Sequence, residues 1–100
     1  MKYALVTGAS RGIGKAIALS LSKMEYYILI NYSSNHEAAN ETLKLIENEG
    51  GNAELLPFDV SNNAEVDNAL LTWEETHPNS YIEVLVNNAG FRKDKLHHSR

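Results

Sequence analysis

The sequence predicts a three-layer α/β fold in the order βαβαβαβ, with a parallel sheet covered by helices on both faces. Three observations predict it. Four short, β-rich apolar runs alternate with helix-patterned stretches along the 100 residues. The spacing from each run to the next leaves room for a right-handed helical crossover. Three of the six glycines stand together between the first run and the first helix pattern, where the chain must turn sharply.

Tyr3-Ala4-Leu5-Val6 is apolar without alternation, as a strand buried on both faces is, and Thr7-Gly8 stops it. Ile13, Ile17, Leu21 and Met24 recur at helical spacing, which predicts that they form one buried face of the first helix. Residues 27–31 are the second strand. Ser34-Asn35-His36-Glu37 has capping-box spacing ahead of a second helix carrying Ala39, Leu43 and Ile46, and Gly50-Gly51 ends that helix in left-handed geometry. Residues 53–58 are a third strand. Asn62, with Glu65 three residues on, caps a third helix through Val66, Leu70 and Trp73, which places Trp73 in the core; Pro78 closes the region. Residues 82–86 form the fourth strand, which runs into Asn87-Asn88-Ala89-Gly90.

Composition excludes several classes. With 43% hydrophobic and 22% charged residues the chain is globular in make-up, and without cysteine it forms neither disulfides nor thiolate metal sites. No apolar run approaches the roughly 20 residues that cross a bilayer, so no membrane partner is expected and the default location is cytoplasmic. Residues 1–90 hold five Lys/Arg against twelve Asp/Glu, while the last ten carry a net +3 through Arg92, Lys93, Lys95 and Arg100 against Asp94. An acidic body argues against nucleic acid, whose phosphates are bound by clustered Lys/Arg. His97-His98 are adjacent and cannot share a helix face as metal-binding i, i+4 histidines do, so no metal site is expected.

Chemistry concentrates in Gly8-Ala9-Ser10-Arg11-Gly12-Ile13-Gly14. Glycine suits such a turn because a Cβ would block positive φ and keep the backbone from a diphosphate seated on the helix N-terminus. The spacing is G-x-x-x-G-x-G, and a loop that merely turns the chain is the plainer alternative. Yet Thr7 to Gly14 resembles the cofactor motif of the short-chain dehydrogenase/reductase family, and Asn87-Asn88-Ala89-Gly90 resembles its second motif, at the end of the fourth strand. Within that family the stretch from Lys2 to about Leu96 is most similar to 3-oxoacyl-[acyl-carrier-protein] reductases, through Asn31-Tyr32, Asp59-Val60 and Arg92-x-Asp94-x-Leu96 as well.

The resemblance implies a Rossmann-type, NAD(P)-binding half-domain over residues 1–96, with 97–100 an aberrant or truncated tail. It places Gly8, Ser10, Arg11, Gly12, Ile13 and Gly14 at the cofactor. By the same resemblance Asp59 accepts from the adenine amino group beside Val60, although a carboxylate there could simply cap the turn. The Asn87 and Asn88 amides are implied to tie strand four to its neighbours while Ala89-Gly90 borders the cofactor ribose; a plain turn is the alternative. The family usually has glycine where Glu25 stands, so left-handed backbone at Glu25 would cost roughly 1 kcal/mol.

Cofactor choice can be argued locally. NAD-specific sites usually place an Asp or Glu at the end of strand two. Here that stretch reads Ile30-Asn31-Tyr32-Ser33-Ser34, without a carboxylate. Arg11 could pair with a 2′-phosphate, and the Asn31 amide and the Ser33 and Ser34 hydroxyls could donate to it, with Tyr32 alongside. NADPH is therefore the expected cofactor, unless Arg11 is only a solvated loop cation.

The catalytic half of the family pattern, Tyr-x-x-x-Lys, is not in these 100 residues. Four positions after Tyr3, Tyr26, Tyr27, Tyr32 and Tyr81 come Thr7, Ile30, Asn31, His36 and Leu85. The expected function is thus the amino-terminal part of a homotetrameric NADPH-dependent reductase acting on an acyl chain carried by acyl carrier protein. Two alternatives stand beside it: a catalytically inactive dinucleotide-binding fragment, and a reductase for another ketone or a sugar. Strand four is expected to present an open apolar edge, leaving the chain alone marginally stable or prone to associate.

Overall fold

The computed structural model describes residues 1–89. Gly90 and the segments 92–96 and 97–100, which figured in the sequence reading, lie outside the described residues. The elements are β1 (Tyr3–Val6), α1 (Gly12–Lys23), β2 (Tyr27–Tyr32), α2 (His36–Asn48), β3 (Ala53–Pro57), α3 (Asn63–Thr76) and β4 (Ile82–Val86). All strand pairs are parallel, in the order β3-β2-β1-β4.

Strand alternation divides the core into two. Tyr3, Leu5 and Leu29 point to one face and pack with Phe58 and with Val66, Leu70 and Trp73 of α3. Ala4, Val6, Ile28 and Ile30 point to the other and pack with Ala18 of α1 and with Ala39 and Ile46 of α2. Helices therefore cover both faces, as a parallel sheet requires. Trp73 is in the core as expected, with its ring edge-on to Tyr3 and stacked on His77.

Three local expectations need correction. Ile13 is 73% exposed and Met24 60%. The buried residues of α1 are Gly14 and Ala18, flanked by half-buried Ile17 and Leu21. Small side chains let α1 sit close to the sheet, so the contact stripe runs through them. Next, the cap of α2 is Asn35, whose Oδ1 accepts from the Ala38 N–H at 3.1 Å, one residue later than a box led by Ser34. The last is a boundary: β2 runs to Tyr32, and β3 stops at Pro57. Asn62 caps α3 as expected, accepting from Glu65 N–H at 3.1 Å.

Gly50 is left-handed (φ +86°), and Gly51 N–H reaches back to Ile46 O at 2.9 Å, closing α2 as its glycines implied. After α1 the same job falls to Glu25, at φ +71°. Its N–H donates to Ser22 O and the next N–H, of Tyr26, to Leu21 O, so the left-handed turn is held despite the side chain. Replacing it should stabilise: Glu25→Gly removes a left-handed cost of about 1–2 kcal/mol and adds about 0.5–1 kcal/mol of chain entropy. A net gain of about 0.5–1 kcal/mol should be read by urea unfolding, and a loss would show that the side chain makes a compensating contact.

Among the described residues β4 pairs only with β1, leaving Leu85 and Tyr81 exposed on that flank. No described helix is long and apolar enough to cross a membrane.

Candidate functional site

Four loops leave the carboxyl ends of the four strands. The chain runs β1, β2, β3 outward on one side of β1 and returns to place β4 on the other. Strand order therefore reverses between β1 and β4, and open α/β sheets bind ligands in the crevice outside such a reversal. The glycine loop after β1 and the Asn87-Asn88-Ala89 turn after β4 flank that crevice.

The loop is held by hydrogen bonds that turn its carbonyls inward. Asn88 Nδ2 donates to Gly8 O at 3.2 Å, and Thr42 Oγ1 lies 3.1 Å from Ala9 O and 3.2 Å from Ser10 O. A trans peptide sets each N–H opposite the preceding carbonyl, and none of the described peptides is cis. The N–H groups of Ser10 and Arg11 consequently face away from α2. Two amides are already engaged: Gly8 N–H donates to Asn31 Oδ1 at 3.2 Å and Ala9 N–H to Asn31 O at 2.9 Å.

Gly8 (φ +62°) and Gly12 (φ +63°) occupy left-handed backbone. Gly14 serves differently. A Cβ there would overlap the Gly8 carbonyl and lie 2.6 Å from Asn88 Nδ2, so this glycine permits the start of α1 to press against the loop. At Gly12 a Cβ would meet nothing within 4 Å, which leaves open space in front of the loop. The N-cap of α1 is Arg11, and it makes no side-chain cap, whereas α2 and α3 are both capped by asparagine. A helix start without a side-chain cap, at the positive end of the helix dipole, is the kind of place that favours an anion.

Thr7 joins the two motifs. Its hydroxyl donates to Val86 O at 3.3 Å and accepts from Ala89 N–H at 3.0 Å, so Ala89 is fixed against the end of β1. Residues some eighty positions apart thus make one wall.

The family model for short chain dehydrogenases matches residues 2–99. The chain belongs to the short-chain dehydrogenase family. It is 38% identical over 92 residues to the short-chain dehydrogenase/reductase homolog YusS of Bacillus subtilis, covering 92% of this chain and 83% of that one. Identity is 44% over 95 residues to a 3-oxoacyl-[acyl-carrier-protein] reductase of Synechocystis, covering 95% of this chain. Glucose 1-dehydrogenase 2 of Bacillus subtilis is 42% identical over 90 residues, or 90% of this chain. The chain spans only 38% and 34% of the length of those last two proteins. Among solved structures, a metagenomic short-chain oxidoreductase in complex with NADP superposes with a TM-score of 0.81 at 34% identity, over 89% of this chain and 39% of that one.

In this member of the family, the structure reassigns the end of β2. Asn31 is 1% exposed, and its Nδ2 donates to Leu56 O at 3.2 Å and Phe58 O at 3.1 Å while its Oδ1 takes Gly8 N–H. Both amide hydrogens are used, so Asn31 is not a donor to a 2′-phosphate; it clamps β1, β2 and β3 beneath the loop. Tyr32 is 8% exposed, with its ring in the α1/α2 core and its hydroxyl 2.7 Å from His36 Nδ1. Ser33 and Arg11 are exposed, while Ser10 is half-buried. After β3, Asp59 Oδ1 accepts from Ser61 N–H and Oγ, which fixes its carboxylate at the carboxyl edge. Val60 packs partly against the α3-side core.

Thr42 was not singled out from sequence, and Thr7 and His36 were named only within the cofactor motif and the capping-box stretch, with no side-chain role of their own. Thr42 did leave a signal, because it lies on the Ala39–Ile46 stripe of α2 and a polar residue on an apolar face needs a buried partner. Removing its hydroxyl tests the clamp. Thr42→Val should cost about 1–2 kcal/mol in urea unfolding, since the Ala9 and Ser10 carbonyls lose their donor, and should weaken cofactor binding several-fold by freeing the loop.

A cavity of 440 Å³ also opens between β3 and α3, floored by Leu56, Phe58 and Trp73. None of the loop residues lines it, and its Glu65 is engaged by Asn62 Nδ2 and Asp59 N–H. The directed amides at the carboxyl edge are the better-formed site. No three His, Asp or Glu side chains converge on a metal position among the described residues.

Proposed function

We propose that this chain is the NADPH-binding part of a short-chain reductase that converts a 3-oxoacyl group on acyl carrier protein to the 3-hydroxyacyl form. The observation that carries the reading is the uncapped start of α1 behind a loop whose Gly8, Ala9 and Ser10 carbonyls are held by Asn88 and Thr42. That cradle suits a diphosphate, with Gly12 leaving the approach open. The chain brings Gly8, Ser10, Arg11, Gly12, Ile13 and Gly14 to the diphosphate, Arg11 and Ser33 to the 2′-phosphate, and Asp59 and Val60 to the adenine. Asn87 and Ala89, at the described end of that turn, border the ribose. Preference for NADPH over NADH rests on the absence of a carboxylate in residues 30–34 and on exposed Arg11.

When bound, the nicotinamide supplies hydride to the carbonyl carbon. The oxygen then needs a proton, and no Tyr-x-x-x-Lys pair stands in these 100 residues to give it. The chain by itself therefore binds without turnover. Substrate class rests on the 44% identity to a 3-oxoacyl reductase. The 42% identity to a glucose 1-dehydrogenase favours a sugar as the second reading. The homotetramer and the cytoplasmic location belong to the same proposal.

Fluorescence titration should give NADPH a Kd at least about tenfold below that of NADH, as one charge-assisted contact to the 2′-phosphate implies. Equal affinities would overturn the cofactor assignment. A chimera with residues 1–89 replacing the matching stretch of the Synechocystis reductase should oxidise NADPH with acetoacetyl thioester, whereas the 100-residue chain alone should not. A folded chimera that binds NADPH but does not oxidise it would count against these residues serving as the cofactor-binding part of such a reductase.

A further inference from the structure

A pair of facing acceptors stands away from the glycine loop, at the 440 Å³ cavity between β3 and α3. The floor is apolar, and the carboxylates that line the cavity are Glu54 and Glu65; none of the described residues lining it is Lys or Arg. Glu65 is engaged at the start of α3, which leaves Glu54. Tyr27, on the neighbouring β2, donates to the Glu54 carboxylate and is held as a phenol: burial first, and that carboxylate next, push its pKa up. Facing Glu54, His77 follows the last turn of α3. Its Nδ1 lies 2.7 Å from Trp73 O, and a carbonyl only accepts, so Nδ1 carries a hydrogen. The ring is also stacked on Trp73 at a centroid distance of 4.4 Å, which fixes its plane.

With its one hydrogen on Nδ1, the neutral imidazole presents a lone pair at Nε2. That nitrogen faces Glu54 Oε1 at 4.0 Å. Two acceptors thus look at each other, too far apart for a hydrogen bond and with no proton to share. A nitrogen about 2.8 Å from both would see them roughly 90° apart, near the spread of two N–H bonds on an ammonium group. The Glu54 carboxylate supplies the opposite charge, and Leu56, Phe58 and Trp73 offer the apolar surface for whatever the ammonium is attached to. The volume is that of a small-molecule site.

We propose that the cavity between β3 and α3 binds a small primary amine with an apolar body, its ammonium group bridging Glu54 and Nε2 of His77. Trp73 is the single tryptophan of the chain and lines the cavity, so its indole N–H resonance reports occupancy with no cofactor present. The full chain is titrated with phenethylamine, 2-phenylethanol and 3-phenylpropionate at about pH 8, where a histidine ring is neutral. Phenethylamine should move the resonance saturably, with a Kd of about 1 mM or tighter. The alcohol, of the same shape but without charge, should bind about tenfold more weakly, and the anion should not bind. Glu54→Gln keeps the volume and loses the charge; it should weaken phenethylamine about tenfold and bring it level with the alcohol. His77→Phe keeps a ring on Trp73 and removes the second acceptor, which should weaken the amine about threefold. The three ligands on wild type decide the matter even if a variant does not fold. No saturable shift, an equal response to the alcohol or the anion, or a folded Glu54→Gln or His77→Phe protein that binds the amine like wild type would overturn the site. Tighter binding of Nα-acetyl-lysine amide than of phenethylamine would overturn the small-molecule assignment in favour of a partner protein's lysine.

Discussion

Gly14→Ala should be among the most damaging single methyl additions to this chain, lowering stability by about 3 kcal/mol, the upper end for overpacking. The reason is where the methyl would go. It would overlap the Gly8 carbonyl oxygen and press on Asn88 Nδ2, and the first of these is backbone that cannot rotate aside. Relief would require α1 to lift from the loop, which would break the Asn88–Gly8 hydrogen bond and withdraw the first-turn amides together. For a domain of this size such a loss corresponds to a fall in Tm of about 12–24 °C. Gly12→Ala is the informative contrast. It costs about 1–2 kcal/mol for its left-handed backbone, but its methyl enters empty space. On the function proposed above, NADPH binding should fall at least tenfold in both variants, accompanied by a large stability loss only at Gly14. Thermal unfolding and cofactor titration on the same samples check this; a Gly14→Ala protein that melts like wild type would show that the loop and helix are not in contact as described.

The contrast also marks where sequence reasoning stops. Three glycines at that spacing announce a tight turn before a helix, but not which ones answer to φ and which to crowding. Periodicity had the same limit in α1. Ile13, Ile17, Leu21 and Met24 do share a helical face, yet the stripe that meets the sheet passes through Gly14 and Ala18. Close approach is favoured by side chains too small to register as hydrophobic. Elements with strong local chemistry were legible: unbroken apolar runs for buried strands, Asn62 for the start of α3, Gly50 for the end of α2. Long-range polar pairs were not. Asn31, Thr42 and Thr7 each find partners on other elements, and a single residue's type says nothing about which neighbour the crossover will bring.

Asn31→Asp should destabilise the fold by about 3–5 kcal/mol at neutral pH, the cost of an uncompensated buried charge. The carboxylate could still accept from Gly8 N–H, but its other oxygen would face the Leu56 and Phe58 carbonyls, now 3.2 and 3.1 Å from the amide nitrogen, with no hydrogen between acceptors. Burial and those carbonyls both favour the protonated acid, so the introduced group's pKa would rise above its unfolded value near 3.9. A raised carboxyl binds its proton more tightly when folded. Its penalty is therefore absent below the unfolded pKa and grows as pH rises through the folded one. Urea unfolding should show the gap to wild type narrowing from pH 7 to pH 5; a gap that does not change with pH would mean the side chain had turned out to solvent. The same geometry constrains any change of cofactor preference. A carboxylate that repels a 2′-phosphate cannot be installed at position 31, where the side chain is committed to the three strands beneath the loop. On the NADPH reading proposed above it belongs on exposed Ser33, where Ser33→Asp should lower NADPH affinity at least tenfold and leave the unfolding midpoint nearly unmoved.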